Sequence, residues 1–327
     1  MNFFAGTSRG VFRVVDGCAT RILDCGGVRE VVRLEGSLFA GTGKGLYVSE
    51  DGGISWILTN LRDLAVWQIR QSTQGTLYAG TAPTALYRSE DGGYTWTEIE
   101  SLSRLAKDKE WRIPVDPPIP AAARALVVKG DRLWVGVEVG GIAISQDAGE
   151  TWSVVLPGDN PDLHMIFPHP RHEEKLFAST GYGRLNGVAD MIEGNAGIFR
   201  SDDGGDSWVY TWRGITPRYS RPMCIDHRAP FSLTVASAPT AFSNYRQEGG
   251  AQAMLFRSED CGESWYSLCD QDHSPSHANF HGLAVDPFVL GGVLVGTDNG
   301  EVWRVNGQAE WCLLATGMPA VVSISCE

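Results

Sequence analysis

Three histidines, His273, His277 and His281, follow one another at intervals of four in the segment DQDHSPSHANFH (270–281), with Asp270 and Asp272 beside them. Imidazole nitrogens flanked by carboxylates are the ligand types of zinc and iron sites, so a divalent metal is one chemistry this segment offers. A spacing of four gathers rings only on a helix. Here Pro275 interrupts the run and a strand pattern, HGLAV, begins at His281, so the plain reading is a polar loop. A second set of chemistry-bearing residues emerges when the short apolar segments of the chain are aligned. Glu30, Trp67, Arg124, Leu163, Arg221, His281 and Val322 take comparable positions, with His164 next to Leu163. Arginine presents a planar fork matched to carboxylate or phosphate, and Trp67 offers an aromatic wall. Converging Arg, His and Glu make a polar pocket or, paired with one another, a plug of ion pairs and water. A slip of one residue in the alignment turns each side chain to the other side. Longer connections add Arg112, Asp116, Arg184, Asp190, Glu193, Tyr245 and Arg246. Retaining glycoside chemistry needs two carboxyl groups about 5 Å apart. Glu30, Asp116, Asp190 and Glu193 are the candidates for such a pair, and Tyr219 and Tyr245 are the available phenols. No P-loop or dinucleotide fingerprint is present.

The elements that must position these residues are announced by a repeat. SEDGGISW (49–56) returns as SEDGGYTW (89–96), SQDAGETW (145–152), SDDGGDSW (201–208) and SEDCGESW (258–265), a box of pattern S-x-D-x-G-x-[ST]-W. Each box follows a phrase such as FAGTGKGLYVS (39–49) or YAGTAPTALYRS (78–89), and two further copies of that phrase, at 4–14 and 294–305, lack a box. The grammar of each of the seven units is four short antiparallel strands with the box between the third and fourth. One such sheet cannot bury both faces alone, so the units stack radially. The expected fold is all-β, a seven-bladed β-propeller forming a single domain over 1–327. The chain begins on a second strand, NFFAGTS, and ends on PAVVSISCE (319–327), which reads as a first strand. The C-terminal strand therefore joins the N-terminal blade and closes the ring. The blades are expected at 2–24 plus 319–327, 28–60, 64–100, 122–157, 162–213, 219–270 and 278–316. Within the box, the aspartate (Asp51, Asp91, Asp147, Asp203 or Asp260) accepts turn N–H groups, the glycine supplies a positive φ, and the tryptophan buries its ring. This is a structural role, and carboxylates repeated around a circle share no pocket.

These repeats resemble the BNR or Asp-box repeats of sialidases, sortilin-type receptors, some xyloglucan hydrolases and the photosystem II assembly-factor family. The resemblance covers essentially the whole chain. It implies a propeller in which the box is a structural hairpin away from the ligand site. WRIP (111–114) is similar to the [FY]-R-I-P phrase of bacterial sialidases, which implies a carboxylate-binding role for Arg112, with Arg124 and Arg221 as companions.

Alternating strand direction puts the boxes on one face of the ring. The long connections 100–122, 181–196, 240–253 and 269–280 fall on the other, and long loops are where function concentrates. A net charge of −12 without a basic run argues against nucleic acid and anionic membranes as partners. No apolar stretch is long enough to cross a membrane, and the start lacks the pattern of a signal peptide. The seven cysteines have no CxxC spacing and read as free thiols, mostly buried, of a cytoplasmic protein. The sequence thus predicts a propeller that binds a small-molecule or protein ligand on the long-loop face through Glu30, Trp67, Arg112, Arg124, His164, Arg221, Tyr245 and His281. The alternatives are a sialidase-like glycoside hydrolase acting on an anionic or sugar-like substrate, and a metal-dependent enzyme using His273, His277 and His281.

Overall fold

A computed structural model describes residues 1–181 and 196–327, together with the backbone of 184–185 and 188–189. Seven four-stranded antiparallel sheets stand in a ring. Blade 1 is Val321–Cys326, Asn2–Thr7, Gly10–Val15 and Cys18–Leu23, written from the channel outward. The innermost strands of blades 2 to 7 are Val28–Leu34, Ala65–Gln71, Ala123–Lys129, Leu163–Pro168, Tyr219–Ile225 and Phe280–Val285. Closure is as the sequence predicts: Phe3 pairs with Cys326 and Ala5 with Ile324. No described helix is long and apolar enough to cross a membrane.

The second strand of each blade is sandwiched between neighbouring blades, and Arg132–Val137 illustrates the result: Leu133, Trp134, Val135 and Val137 are all buried. Such a strand reads as a continuous apolar run instead of an alternating one. The glycine of the A-G-T phrase has a reason beyond turns. A Cβ at Gly80 would stand 2.5 Å from the Ala123 carbonyl oxygen of the next blade's innermost strand, and one at Gly41 would stand 2.8 Å from that of Val66. Only glycine lets consecutive blades approach this closely.

The five boxes share one hydrogen-bond pattern. In the first, Asp51 Oδ1 accepts from Ser49 Oγ at 2.9 Å and from Ser55 N at 2.9 Å, while Oδ2 accepts from Ser55 Oγ at 2.6 Å. Asp91, Asp147, Asp203 and Asp260 do the same with Thr95, Thr151, Ser207 and Ser264. These bonds to the charged form hold Asp51, Asp91 and Asp147 down at about 2. The carboxylates lie at the turns between third and fourth strands and are fixed in scaffolding.

Connection 100–122 departs from the all-strand expectation. Glu100–Asp108 is a helix, with Leu102 buried against blades 3 and 4, Glu100 in its first turn and Lys107 in its last. With so few turns, its apolar period is too short to stand out in the sequence. A hairpin of Arg112–Ile113 and Ile119–Pro120 follows it.

Each innermost strand is interrupted at the same place. In blade 2, Val28 pairs with Thr42 and Glu30 with Gly41, which leaves Arg29 without a partner. The same bulge isolates Trp67, Arg124, His164, His281 and Val322. In blade 6, Arg221 and Pro222 together oppose Ala236. A bulge re-aims the extra side chain; Arg29, Trp67, Arg124, Arg221, His281 and Val322 ring the channel mouth on the long-loop face, and His164 is buried behind them. The residue after the bulge does something else. Ser323 Oγ, Glu30 Oε2 and Gln68 Oε1 accept from Val31 N at 3.0 Å, Ile69 N at 2.7 Å and Leu126 N at 2.9 Å on the next blade. They satisfy backbone donors of the channel-facing edge that no ladder partner reaches.

Candidate functional site

Arg29, Trp67, Arg124, Arg221, His281 and Val322 line one cavity of about 660 Å³, which continues from the mouth down the central channel. Six of the seven blades thus place one bulged residue in this cavity, and the positions aligned in the sequence need two corrections. The bulged residue of blade 2 is Arg29, and Glu30 lies one place deeper, where it clasps Ile69 N and pairs with Arg70 at 2.8 Å. In blade 5 it is His164 that is bulged, and Leu163 is a fully buried ladder residue. Aligning the strands on the apolar residue two places after the bulge (Val31, Ile69, Leu126, Ile166, Met223, Leu283, Ile324) would have found both, because that residue is buried in every blade but the last, where Leu283 is half-buried.

Trp67 lies between two guanidiniums, Arg29 at 4.4 Å and Arg124 at 4.9 Å from the ring centroid. Cation–π attraction holds both cations over the indole. Arg124 Nη1 also pairs with Glu138 Oε1 at 3.0 Å. Arg221 Nη2 donates to the Tyr219 hydroxyl at 3.2 Å. The Trp67 Nε1 and Arg221 Nε donors are buried and meet no acceptor among the described residues. Burial, and then the Arg124 charge, pull the Arg29 guanidinium below its usual range. His281 is pushed down to about 4 by burial and by Arg221 and Arg124, so its ring is neutral at pH 7.

Behind the rim stands a buried relay. His164 Nδ1 lies 2.6 Å from the Ser220 carbonyl oxygen. A carbonyl only accepts, so Nδ1 carries the proton. In the neutral ring Nε2 is then an acceptor, and it faces the Tyr219 hydroxyl at 3.3 Å and Asp162 Oδ1 at 3.4 Å. Burial keeps His164 neutral against the pull of Asp162. Burial also pushes the Asp162 carboxyl up, but the Arg124 and Arg221 charges hold it below its usual range. Burial raises the Tyr219 phenol. Glu138 and Asp162 escaped the sequence reading because both lie outside the aligned positions, Glu138 just past a second strand and Asp162 just before a first strand.

The remaining candidates lie elsewhere. Arg112 is exposed on the 112–120 hairpin, and neither it nor Asp116 lines the cavity; a four-letter likeness carries no information about where a hairpin points. Tyr245 is occupied in holding its loop to blade 7. Its N–H donates to Asp298 Oδ2 at 2.9 Å and its hydroxyl accepts from Arg246 Nε at 3.0 Å. The three histidines do not gather. His273 stacks on Trp311 with centroids 3.9 Å apart and Nδ1 2.6 Å from Asp270, His277 packs under Gly250, and His281 is on the rim. Among the described residues no three His, Cys, Asp or Glu side chains converge as metal ligands; Pro275 and the strand start at Phe280 keep the run from coiling. The side chain of Arg184, and Asp190 and Glu193 altogether, lie outside the described residues. All seven cysteines are free, and only Cys224 is fully buried; Cys18 and Cys312 are exposed on outer strands, where no neighbouring blade covers them.

The ring, its bulged rim and its open mouth define the class: a seven-bladed β-propeller with a cationic channel entrance. No family model and no curated protein matches the chain by sequence. Solved structures do match. A GH74 enzyme from Niastella koreensis is 16% identical with a TM-score of 0.65, over 95% of this chain and 46% of that one. The GH74 xyloglucanase from Xanthomonas campestris is 18% identical with a TM-score of 0.67, over 98% of this chain and 52% of that one. YCF48 bound to D1 peptide is 17% identical with a TM-score of 0.55, over 88% of this chain and 80% of that one. The chain thus spans about half the length of the GH74 enzymes, and at these identities the likeness concerns the fold.

Proposed function

We propose that this propeller binds an anionic group of its ligand at the channel mouth, with Arg29, Arg124 and Arg221 as the anion-binding residues and Trp67 and His281 as walls. The supporting observation is the charge balance of the mouth: Arg29, Arg124 and Arg221 line it with Glu138, the buried Asp162 stands behind them, and the deeper lining pair Glu30 and Arg70 neutralise each other. Arg29 has no hydrogen bond or ion pair among the described residues, and Arg221 keeps an unused buried donor. A preformed cavity with a few convergent polar groups is the usual form of a ligand site. The boxes, read as the Asp-box repeats of the superfamily named above, agree with a site on the opposite face. Titration calorimetry with acetate and with inorganic phosphate tests the proposal. Arg29→Ala and Arg221→Ala should each weaken binding about tenfold or more, the size of a charge-assisted hydrogen bond. Equal affinity in wild type and both variants would overturn it.

A second reading, glycoside hydrolysis, is favoured by one feature: the Tyr219 hydroxyl sits between Arg221 and the buried His164. The likeness to GH74 folds is compatible with it. A panel of fluorogenic glycosides and sialosides with Tyr219→Phe as control decides it, since turnover that survives this substitution removes Tyr219 from the chemistry.

A further inference from the structure

The channel below the rim differs in kind from the rim. Val32 and Leu34 of blade 2, Met165 and Phe167 of blade 5, and Leu283 and Val285 of blade 7 line it and are only partly covered by protein. These three strands stand well apart in the ring, so the apolar surface is spread around the shaft. At about 3.3 Å of rise per residue, it begins at Met165, about 3 Å below the bulged residues, and continues to the far end of the strands. The main polar groups of the same walls are already engaged. Glu30 is bonded to Ile69 N and Arg70, Gln68 to Leu126 N and the Met165 sulfur, and Ser323 to Val31. Unused hydrogen-bonding capacity lies at the two ends, in Arg29 and Arg221 at the mouth and in His227 and Ser325 at the far end, and uncovered apolar surface lies along the shaft between them.

We infer that the ligand is an aliphatic carboxylate whose head sits among Arg29, Arg124 and Arg221 and whose hydrocarbon tail descends the channel. The inference rests on the anion-binding reading above and extends it. With Glu30 and Arg70 paired, the three guanidiniums of the mouth against Glu138 and the buried Asp162 leave one positive charge, which matches a monoanion. The tail is hydrocarbon and not peptide because a peptide backbone in the shaft would bury N–H and C=O groups against walls whose own polar groups are engaged, at a cost of a few kcal/mol per group. Burying a methylene strengthens binding by about fourfold, so affinity should climb with tail length until the shaft is filled.

The test is calorimetric titration of the full chain with acetate, octanoate, dodecanoate and 1-octanol, and with a peptide ending in two leucines. Octanoate should bind at least thirtyfold more tightly than acetate and than octanol. Arg29→Ala should weaken acetate and octanoate alike. Leu34→Gln, a partly exposed shaft position, should weaken dodecanoate while leaving acetate unchanged. Acetate and octanoate of equal affinity would overturn the tail assignment and leave the mouth reading intact. Octanol equal to octanoate would overturn the mouth reading instead. A peptide that binds more tightly than octanoate would overturn the aliphatic assignment.

Discussion

His281 shows how one bulged position acquires its chemistry. Burial beside Arg221 and Arg124 brings its pKa from 6.5 to about 4, so folding favours the neutral ring. Above pH 6.5 the ring is neutral in both states and contributes nothing pH-dependent. As pH falls from about 6.5 toward 4 the unfolded chain takes up a proton that the folded chain refuses, and stability declines by at most about 1.4 kcal/mol per pH unit. Denaturant midpoints of wild type and His281→Gln should therefore diverge on acidification within this window and run parallel above it; parallel curves throughout would contradict the burial. The box aspartates act in a separate window. Their pKa is depressed from 3.8 to about 2, so their contribution is complete above about 3.8 and is lost below it.

At the scale of the element, the box distinguishes its two left-handed positions. The first carries Gly52, Gly92 or Gly204 but also Ala148 and Cys261, at φ of 56° and 59°; a Cβ at Gly92 would meet nothing within 4 Å. The second is always glycine, and a Cβ at Gly93 would collide with the Phe39 ring of the preceding blade. Gly92→Ala should cost less than about 1 kcal/mol and Gly93→Ala about 2 kcal/mol or more in chemical denaturation. Equal costs would show that φ alone, and not the neighbouring blade, demands the glycine. The box was legible in the sequence because all its hydrogen-bond partners lie within four residues of the aspartate. The bulge was not, because it exists only relative to a paired strand. Hence the one-residue displacement that put Glu30 and Leu163 where Arg29 and His164 stand.

At the scale of the molecule, the ring is held closed by Val321–Cys326, which supplies the innermost strand of blade 1 and, through Ser323, caps Val31 of blade 2. Removing residues 319–327 would expose the edge of Asn2–Thr7, and an unpaired edge is a template for association. The truncated protein should melt at least about 10 °C lower and self-associate in sedimentation; an unchanged, monomeric melt would show that closure does not depend on this strand.

By itself the sequence determined the repeat, the number of blades, the closure and the face on which to look, since each depends on short-range phrases repeated along the chain. Only the tertiary structure decided which side chains meet at the channel. Arg29 stacks on Trp67, Arg124 finds Glu138 and Asp162 finds His164 because blades distant in sequence are brought round one axis, where a bulge in each strand selects the residue that faces it. The segregation of charge at the mouth from hydrocarbon in the shaft comes from the same cause: seven strands run side by side, and residues at equal depth, however far apart in the chain, share one environment.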